Sequence, residues 1–250
     1  MIQINSINKT FNKGQATENN AIQQLSLSIN PKEFLVVVGS NGSGKSTLLN
    51  CIAGNILVDS GVIIFNKDKD VTALKDYQRT QWISRIFQNP LVGTAPDLSI
   101  LDNFRLAAIR TQSKNIKVGI NHEFVAKVKE HLATLKMGLE NKIHQPVGSL
   151  SGGQRQAITL LMSVFDESSI FLLDEPTAAL DPKSANIVMD TANHLISKLQ
   201  LTAILVTHNL KEATTFGNRI IQMHQGKIIK DLQAKEKEKL TSTDIFQWFQ

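Results

Sequence analysis

A single cysteine, Cys51, stands in 250 residues, which excludes an internal disulfide and any cysteine-built metal site. It falls in an apolar-periodic stretch, where a lone thiol is by default buried and structural. Also missing is any run approaching the roughly 18 consecutive apolar residues that span a bilayer. The opening Met1-Ile2-Gln3-Ile4-Asn5 has no charged start followed by an apolar segment. The expectation is a cytoplasmic chain, and if it serves transport, the membrane-spanning part belongs to another polypeptide. An excess of one charge sign is small, since 27 Lys and Arg against 22 Asp and Glu leave +5 spread along the sequence. The densest basic patch, Lys235, Lys237 and Lys239, is interleaved with Glu236 and Glu238 and reads as a solvated face. Charge therefore gives no reason to expect a nucleic-acid partner. Internal repeats and low-complexity segments are lacking as well. With 42% hydrophobic residues the composition is that of an ordinary globular protein, and the length suits one core with an inserted subdomain.

Apolar residues alternate at Ile2, Ile4 and Ile7, and again at Leu25, Leu27 and Ile29, the period of half-buried strands, predicting a small antiparallel sheet. Phe34 to Val38 is a continuous apolar run that ends in a glycine-rich loop, and residues 46–53 follow with a helical pattern. Arg85-Ile86-Phe87, Ile170-Phe171-Leu172-Leu173 and Ala203-Ile204-Leu205-Val206 are short apolar runs of the kind buried in parallel sheets. Helical stretches separate the last two, as a parallel crossover requires. From residue 89 to 148 the texture changes to loops around Pro90, Gly93 and Pro96, then helical stretches near 100–110 and 122–137. A further helix opens at Leu150-Ser151-Gly152-Gly153 and runs to Phe165, with its first N–H groups ready for an anion. Near the C-terminus, Thr241-Ser242-Thr243-Asp244 forms a capping box for a short amphipathic helix.

The loop after the first apolar run, Gly39-Ser40-Asn41-Gly42-Ser43-Gly44-Lys45-Ser46, fits the G-x-x-x-x-G-K-[ST] pattern of a P-loop, between a strand and a helix as its mechanics require. Its four fixed positions match by chance on the order of once in tens of thousands. In such a loop Lys45 reaches the β- and γ-phosphates, Ser46 offers a hydroxyl to Mg²⁺, and Thr47 reaches the α-phosphate. Ile170 to Leu173 deliver two adjacent carboxylates, Asp174 and Glu175, to a strand end, the Walker B arrangement with Asp174 on the metal side.

With Leu150-Ser151-Gly152-Gly153-Gln154, these motifs make the chain resemble the nucleotide-binding subunits of ATP-binding-cassette (ABC) transporters over nearly its whole length. The resemblance implies an α/β fold: a P-loop NTPase (RecA-like) core with an N-terminal antiparallel β subdomain and an inserted α-helical signature subdomain. One domain would span 1–250, with 1–88 and 166–250 as core and 89–165 as the helical part. It further implies that Glu175 polarises the attacking water, that His208 in Val206-Thr207-His208-Asn209 is the switch histidine at the γ-phosphate, and that Gln88 contacts Mg²⁺ or the water. Taken alone, Gln88 reads as a polar strand terminus and His208 as a satisfied histidine. Leu150, Ser151, Gly152, Gly153 and Gln154 would cap ATP bound by a second copy of the cassette, making a homodimer part of the cycle. Ala179, Leu180 and Asp181 resemble the D-loop on that seam, and Asp181 also suits an N-cap for a helix begun by Pro182. Phe11 is the candidate adenine platform, its alternative being a core phenylalanine.

The function expected is an ATPase using ATP and Mg²⁺, held at the inner membrane face through separate transmembrane permease subunits, with a solute-binding protein as a further partner. Several phrases, among them Phe87-Gln88-Asn89-Pro90 and Gly93-Thr94-Ala95-Pro96, are similar to a bacterial branch of amino-acid-type uptake ATPases. Pro176 after Asp174-Glu175 departs from that branch, where histidine is frequent. The alternatives are the soluble cassette ATPase of iron–sulfur cluster assembly, or the ATPase of an exporter or lipid transporter.

Overall fold

The computed structural model describes residues 1–87, 89, 93–109, 120–165 and 168–249. The chain opens with β1 (Ile2–Phe11) and β2 (Asn19–Ile29), paired antiparallel with Ile2 opposite Ile29 and Ile4 opposite Leu27. β3 (Phe34–Val38) leads through the glycine-rich loop into α1 (Lys45–Ala53), then β4 (Ser60–Phe65), β5 (Lys69–Asp70), α2 (Asp76–Arg79) and β6 (Ile83–Ile86). Next come α3 (Ile100–Ala108), α4 (His122–Ala133) and α5 (Gly152–Val164), followed by β7 (Ile170–Asp174), α6 (Pro182–Leu199) and β8 (Thr202–Val206). α7 (Leu210–Thr215), β9 (Arg219–His224), β10 (Lys227–Leu232), α8 (Ala234–Lys237) and α9 (Ser242–Phe246) complete the order.

Two sheets result, a four-stranded one ordered β2-β1-β4-β5 and a six-stranded one ordered β10-β9-β3-β8-β7-β6. In the larger sheet all neighbours pair parallel except β10, which runs antiparallel to β9 at one edge. The apolar runs of its central strands follow from burial on both faces. Val36, Val38, Phe171, Leu173, Ala203 and Leu205 turn to the core shared with α5 and α6. Their neighbours Leu35, Val37, Leu172, Ile204 and Val206 turn to the core shared with α1 and the antiparallel sheet. β3, β7 and β8 thus end side by side, and the segments leaving their C-terminal ends form one crevice.

Three details differ from the sequence reading. β6 ends at Ile86, one residue before Phe87, because its ladder to β7 stops at the pair Ile86 and Leu173. α4 stops at Ala133 rather than 137, since Lys136 and Gly138 take left-handed backbone with φ of 53° and 69°. Lys237 is not on a solvated face: it is buried, and its ammonium donates to the carbonyls of Thr214, Phe216 and Gly217 at 3.2, 2.6 and 3.1 Å. Those carbonyls lie at and just past the end of α7, where a cation satisfies free acceptors and the helix dipole together. Burial lowers the Lys237 pKa.

Arg79 does the same work for α1. It is 1% exposed, and its guanidinium donates to the Cys51, Ile52 and Leu74 carbonyls at 2.8 Å and to Thr72 at 3.2 Å. Arg79→Met is expected to lower stability by about 3 kcal/mol in urea unfolding, because it leaves buried carbonyls without donors. Cys51 is buried as expected, and burial pushes its thiol pKa up to about 11.

Candidate active site

The glycine-rich loop holds a backbone that side chains cannot adopt cheaply. Gly42 and Gly44 have φ of 78° and 101°, and a Cβ at Gly39 would lie 2.2 Å from the Met223 carbonyl oxygen on β9. Gly44 caps α1 without a side-chain bond, so the first N–H groups of that helix face the loop uncapped by any side chain. Ser43 Oγ is buried there with no hydrogen-bond partner among the described residues. A concave set of free donors at the positive end of a helix fits a polyphosphate. Lys45 is 6% exposed, and its ammonium donates to the carbonyls of Gly39 at 2.8 Å and Ser40 at 2.9 Å. Burial lowers its pKa, while the Glu175 and Asp174 carboxylates act to raise it.

β7 delivers Asp174 beside this loop. One carboxylate oxygen accepts from the Ser46 hydroxyl at 3.3 Å, and the other takes the Arg85 guanidinium at 2.8 Å. Arg85, from β6, also reaches the side-chain oxygens of Asn50 at 2.6 Å and Asn55 at 3.0 Å, and lies over the Phe87 ring. The next carboxylate, Glu175, is only 18% exposed and meets His208 Nδ1 at 3.1 Å. Glu175 has a left-handed backbone, φ 46°, and its N–H donates to the Val206 carbonyl at 2.9 Å. Lys45, Ser46, Asp174, Glu175 and His208 therefore converge from the ends of three adjacent strands.

Other sequence-derived candidates stand apart from this cluster. Phe11 ends β1 half-buried, outside both cores, with the Lys9 ammonium 5.7 Å from its ring centre. Ser151 caps α5: its Oγ accepts from Gln154 N–H at 3.3 Å, and the Gln154 side chain takes the Ser151 N–H at 3.2 Å. One of the N–H groups expected to be free is thus already engaged. Leu150 is buried in the core, and Gly152 lies against Leu180 in the same chain. A Cβ at Gly153 would come within 2.4 Å of the Ser184 side chain, so α5 and α6 are in backbone-close contact there. Asp181 accepts from the N–H groups of Lys183 and Ser184 at 3.1 and 3.0 Å, the N-cap alternative. Ala179 precedes it in the turn, and Thr47, the α-phosphate candidate, lies in the first turn of α1. Gln88 lies outside the described residues.

The family model described as ABC transporter matches residues 22–178, more than half of the chain, a span that takes in the glycine-rich loop, Asp174 and Glu175. The chain belongs to the ABC transporter ATP-binding family. As a member of this family it binds and hydrolyses ATP. A tyrosine transport ATP-binding protein of Clostridioides difficile (strain R20291) is 38% identical over 250 residues, covering 100% of this chain and 99% of that protein. A phosphonates import ATP-binding protein of Lactobacillus acidophilus is 31% identical over 256 residues, covering 98% and 94%. Among solved structures, an ATP-binding cassette in a dimeric post-hydrolysis state bound to ADP and Pi superposes with a TM-score of 0.79 at 27% identity, over 94% of this chain and 99% of that one. The ABC ATPase fold is thereby shown for the whole arrangement of sheets and helices.

Arg85 is the residue of this ABC cassette that sequence reading passed over. It stands in an apolar run and looks like a strand residue, and its partner Asp174 is 89 positions away. The only signal was a charge in a strand that is otherwise buried, which needs a counter-charge nearby. Among the described residues no helix is long and apolar enough to cross a membrane.

Proposed function

We propose that this chain powers uptake of a small solute such as an amino acid, aromatic ones first among them, by closing head to tail with a second copy over two ATP molecules beneath a separate permease. The observation that carries the chemistry is the 3.1 Å contact of His208 with Glu175 beside Lys45 and Asp174. In this reading the α1 N-terminus and Lys45 bind the phosphates, Thr47 the α-phosphate, and Phe11 the base. Glu175 polarises the attacking water, His208 holds that geometry against the γ-phosphate, and Gln88 contacts Mg²⁺ or the water. Ser46 and Asp174 offer the hydroxyl and carboxylate oxygens that suit Mg²⁺, which when bound would neutralise charge on the phosphate oxygens. Leu150 to Gln154 would reach the nucleotide of the partner copy, with Ala179 to Asp181 along the seam.

A cleft of about 660 Å³ between the core and the inserted helical part, lined by Arg85, Phe87, Gly93 and Ala95 and by exposed Tyr77 and Leu106, supports docking of a permease helix there. The amino-acid assignment leans on the full-length similarity to the tyrosine transport relative, and in this reading the chain sits at the inner membrane face through its permease. Affinity capture of tagged Glu175→Gln with Mg-ATP from detergent-solubilised cells tests it. A polytopic membrane protein is expected, with a solute-binding protein beside it whose tyrosine, tryptophan and phenylalanine affinities are then measured. A soluble scaffold alone would overturn the transport reading, and a binding protein selective for another solute class would overturn the substrate.

A further inference from the structure

Glu212 is a carboxylate that the reading above does not use, and it is 5% exposed on α7. Burying a carboxylate is costly unless its oxygens are hydrogen-bonded. Here Oε1 accepts from the Thr177 hydroxyl at 2.5 Å and Oε2 from the Thr207 hydroxyl at 2.6 Å. Thr177 lies two residues past Glu175, and Thr207 lies immediately before His208. The Glu212 carboxylate therefore ties together the two segments that carry the paired side chains. The tie is itself held: Glu212 N–H donates to Asn209 Oδ1 at 3.3 Å, and Asn209 N–H donates to Thr207 Oγ1 at 3.0 Å.

Glu175 gives this tie something to do. Its φ of 46° is a left-handed conformation that a side-chain-bearing residue keeps only where the surroundings over-determine it. On one side the backbone is fixed by Glu175 N–H on the Val206 carbonyl at 2.9 Å, and on the other by Thr177 on Glu212. The contacts close a ring: Glu175 to Thr177 along the chain, Thr177 to Glu212, Glu212 to Thr207, and His208 back to Glu175 at 3.1 Å.

We propose that Glu212 is a positioning residue for ATP hydrolysis, locking Thr177 to Thr207 so that Glu175 and His208 keep their register. The proposal rests on the roles given to Glu175 and His208 above. Glu212→Gln keeps the volume but supplies one acceptor where two hydroxyls donate, so one threonine must turn and the ring loosens. Turnover is expected to fall about 30-fold, in keeping with the sensitivity of reaction rates to small misplacements. Affinity for a non-hydrolysable ATP analogue is expected to stay within about 2-fold, since Lys45 and the loop are untouched.

A positioning role and a bland structural one separate in a double-mutant cycle. In a His208→Ala background, Glu212→Gln is expected to cost under about 3-fold more, because the geometry it protects is already gone. Thr177→Ser with Thr207→Ser should keep turnover, while Thr177→Val with Thr207→Val should reproduce the loss, and this pair carries the test if Glu212→Gln does not fold. Wild-type turnover in Glu212→Gln beside an impaired His208→Ala overturns this proposal alone. So does a loss that multiplies fully with His208→Ala, or one that appears equally in analogue affinity. Wild-type turnover in His208→Ala overturns the underlying role of His208, and the positioning role falls with it.

Discussion

Glu175→Gln is expected to bind Mg-ATP, form a stable dimer and lose turnover by about a thousandfold, within the range set by removing a general base. The hydrogen bonds of the cradle are unaffected, because Lys45 bonds to the Gly39 and Ser40 carbonyls and Ser46 to Asp174, and none of them to Glu175. The glutamine keeps the size of the side chain facing His208 and loses only the charge that, in the proposed role, draws a proton from water. Size-exclusion chromatography with and without ATP reads the dimer, and phosphate release reads the turnover. Dimer without hydrolysis is the expected pair of results. Hydrolysis at the wild-type rate would remove Glu175 from the role of base.

Lys45→Ala is expected to weaken ATP binding about a hundredfold or more, as loss of charge-assisted bonds to a polyphosphate implies. Two effects combine. The only ammonium buried within the loop disappears, and so do the bonds that hold the Gly39 and Ser40 carbonyls inward at 2.8 and 2.9 Å. Lys45→Arg would not restore binding, because a planar fork does not fit where a compact ammonium is 6% exposed between carbonyls. Calorimetric titration with ATP measures both variants, and an unchanged affinity in Lys45→Ala would sink the phosphate-cradle assignment.

The sequence made the layered core legible because each central strand alternates residues between two cores, leaving an uninterrupted apolar run such as Phe34 to Val38. The loop was legible for a different reason: Gly39 and Gly44 meet neighbouring backbone and Gly42 takes a left-handed conformation, so the pattern of residue types records a shape. Local caps were equally readable, and Thr241 with Asp244 closes its capping box as expected. What could not be read is pairing across long separations. Lys237 looked solvated because its neighbours are charged, yet it ends a helix that lies about twenty positions earlier in the chain. Arg85 and Asp174 belong to different strands, and only the parallel register of β6 with β7 brings them together. The roles proposed for Gln88, Phe11 and the residues 150–154 would depend on ligands and on a second copy, which no fold within one chain expresses.

The contact of Gly153 with Ser184 constrains how relatives of this protein can diverge. An added β-carbon at 153 meets the serine Cβ and Oγ at 2.4 Å, but the Ser184 Cα only at 3.5 Å, an ordinary contact. The two positions are therefore ordered in time. Ser184→Gly can come first at the modest cost of a glycine in a helix's first turn, and only then does Gly153→Ala find room. Taken in the reverse order, the intermediate chain must force α5 and α6 apart, so descent through that door runs one way.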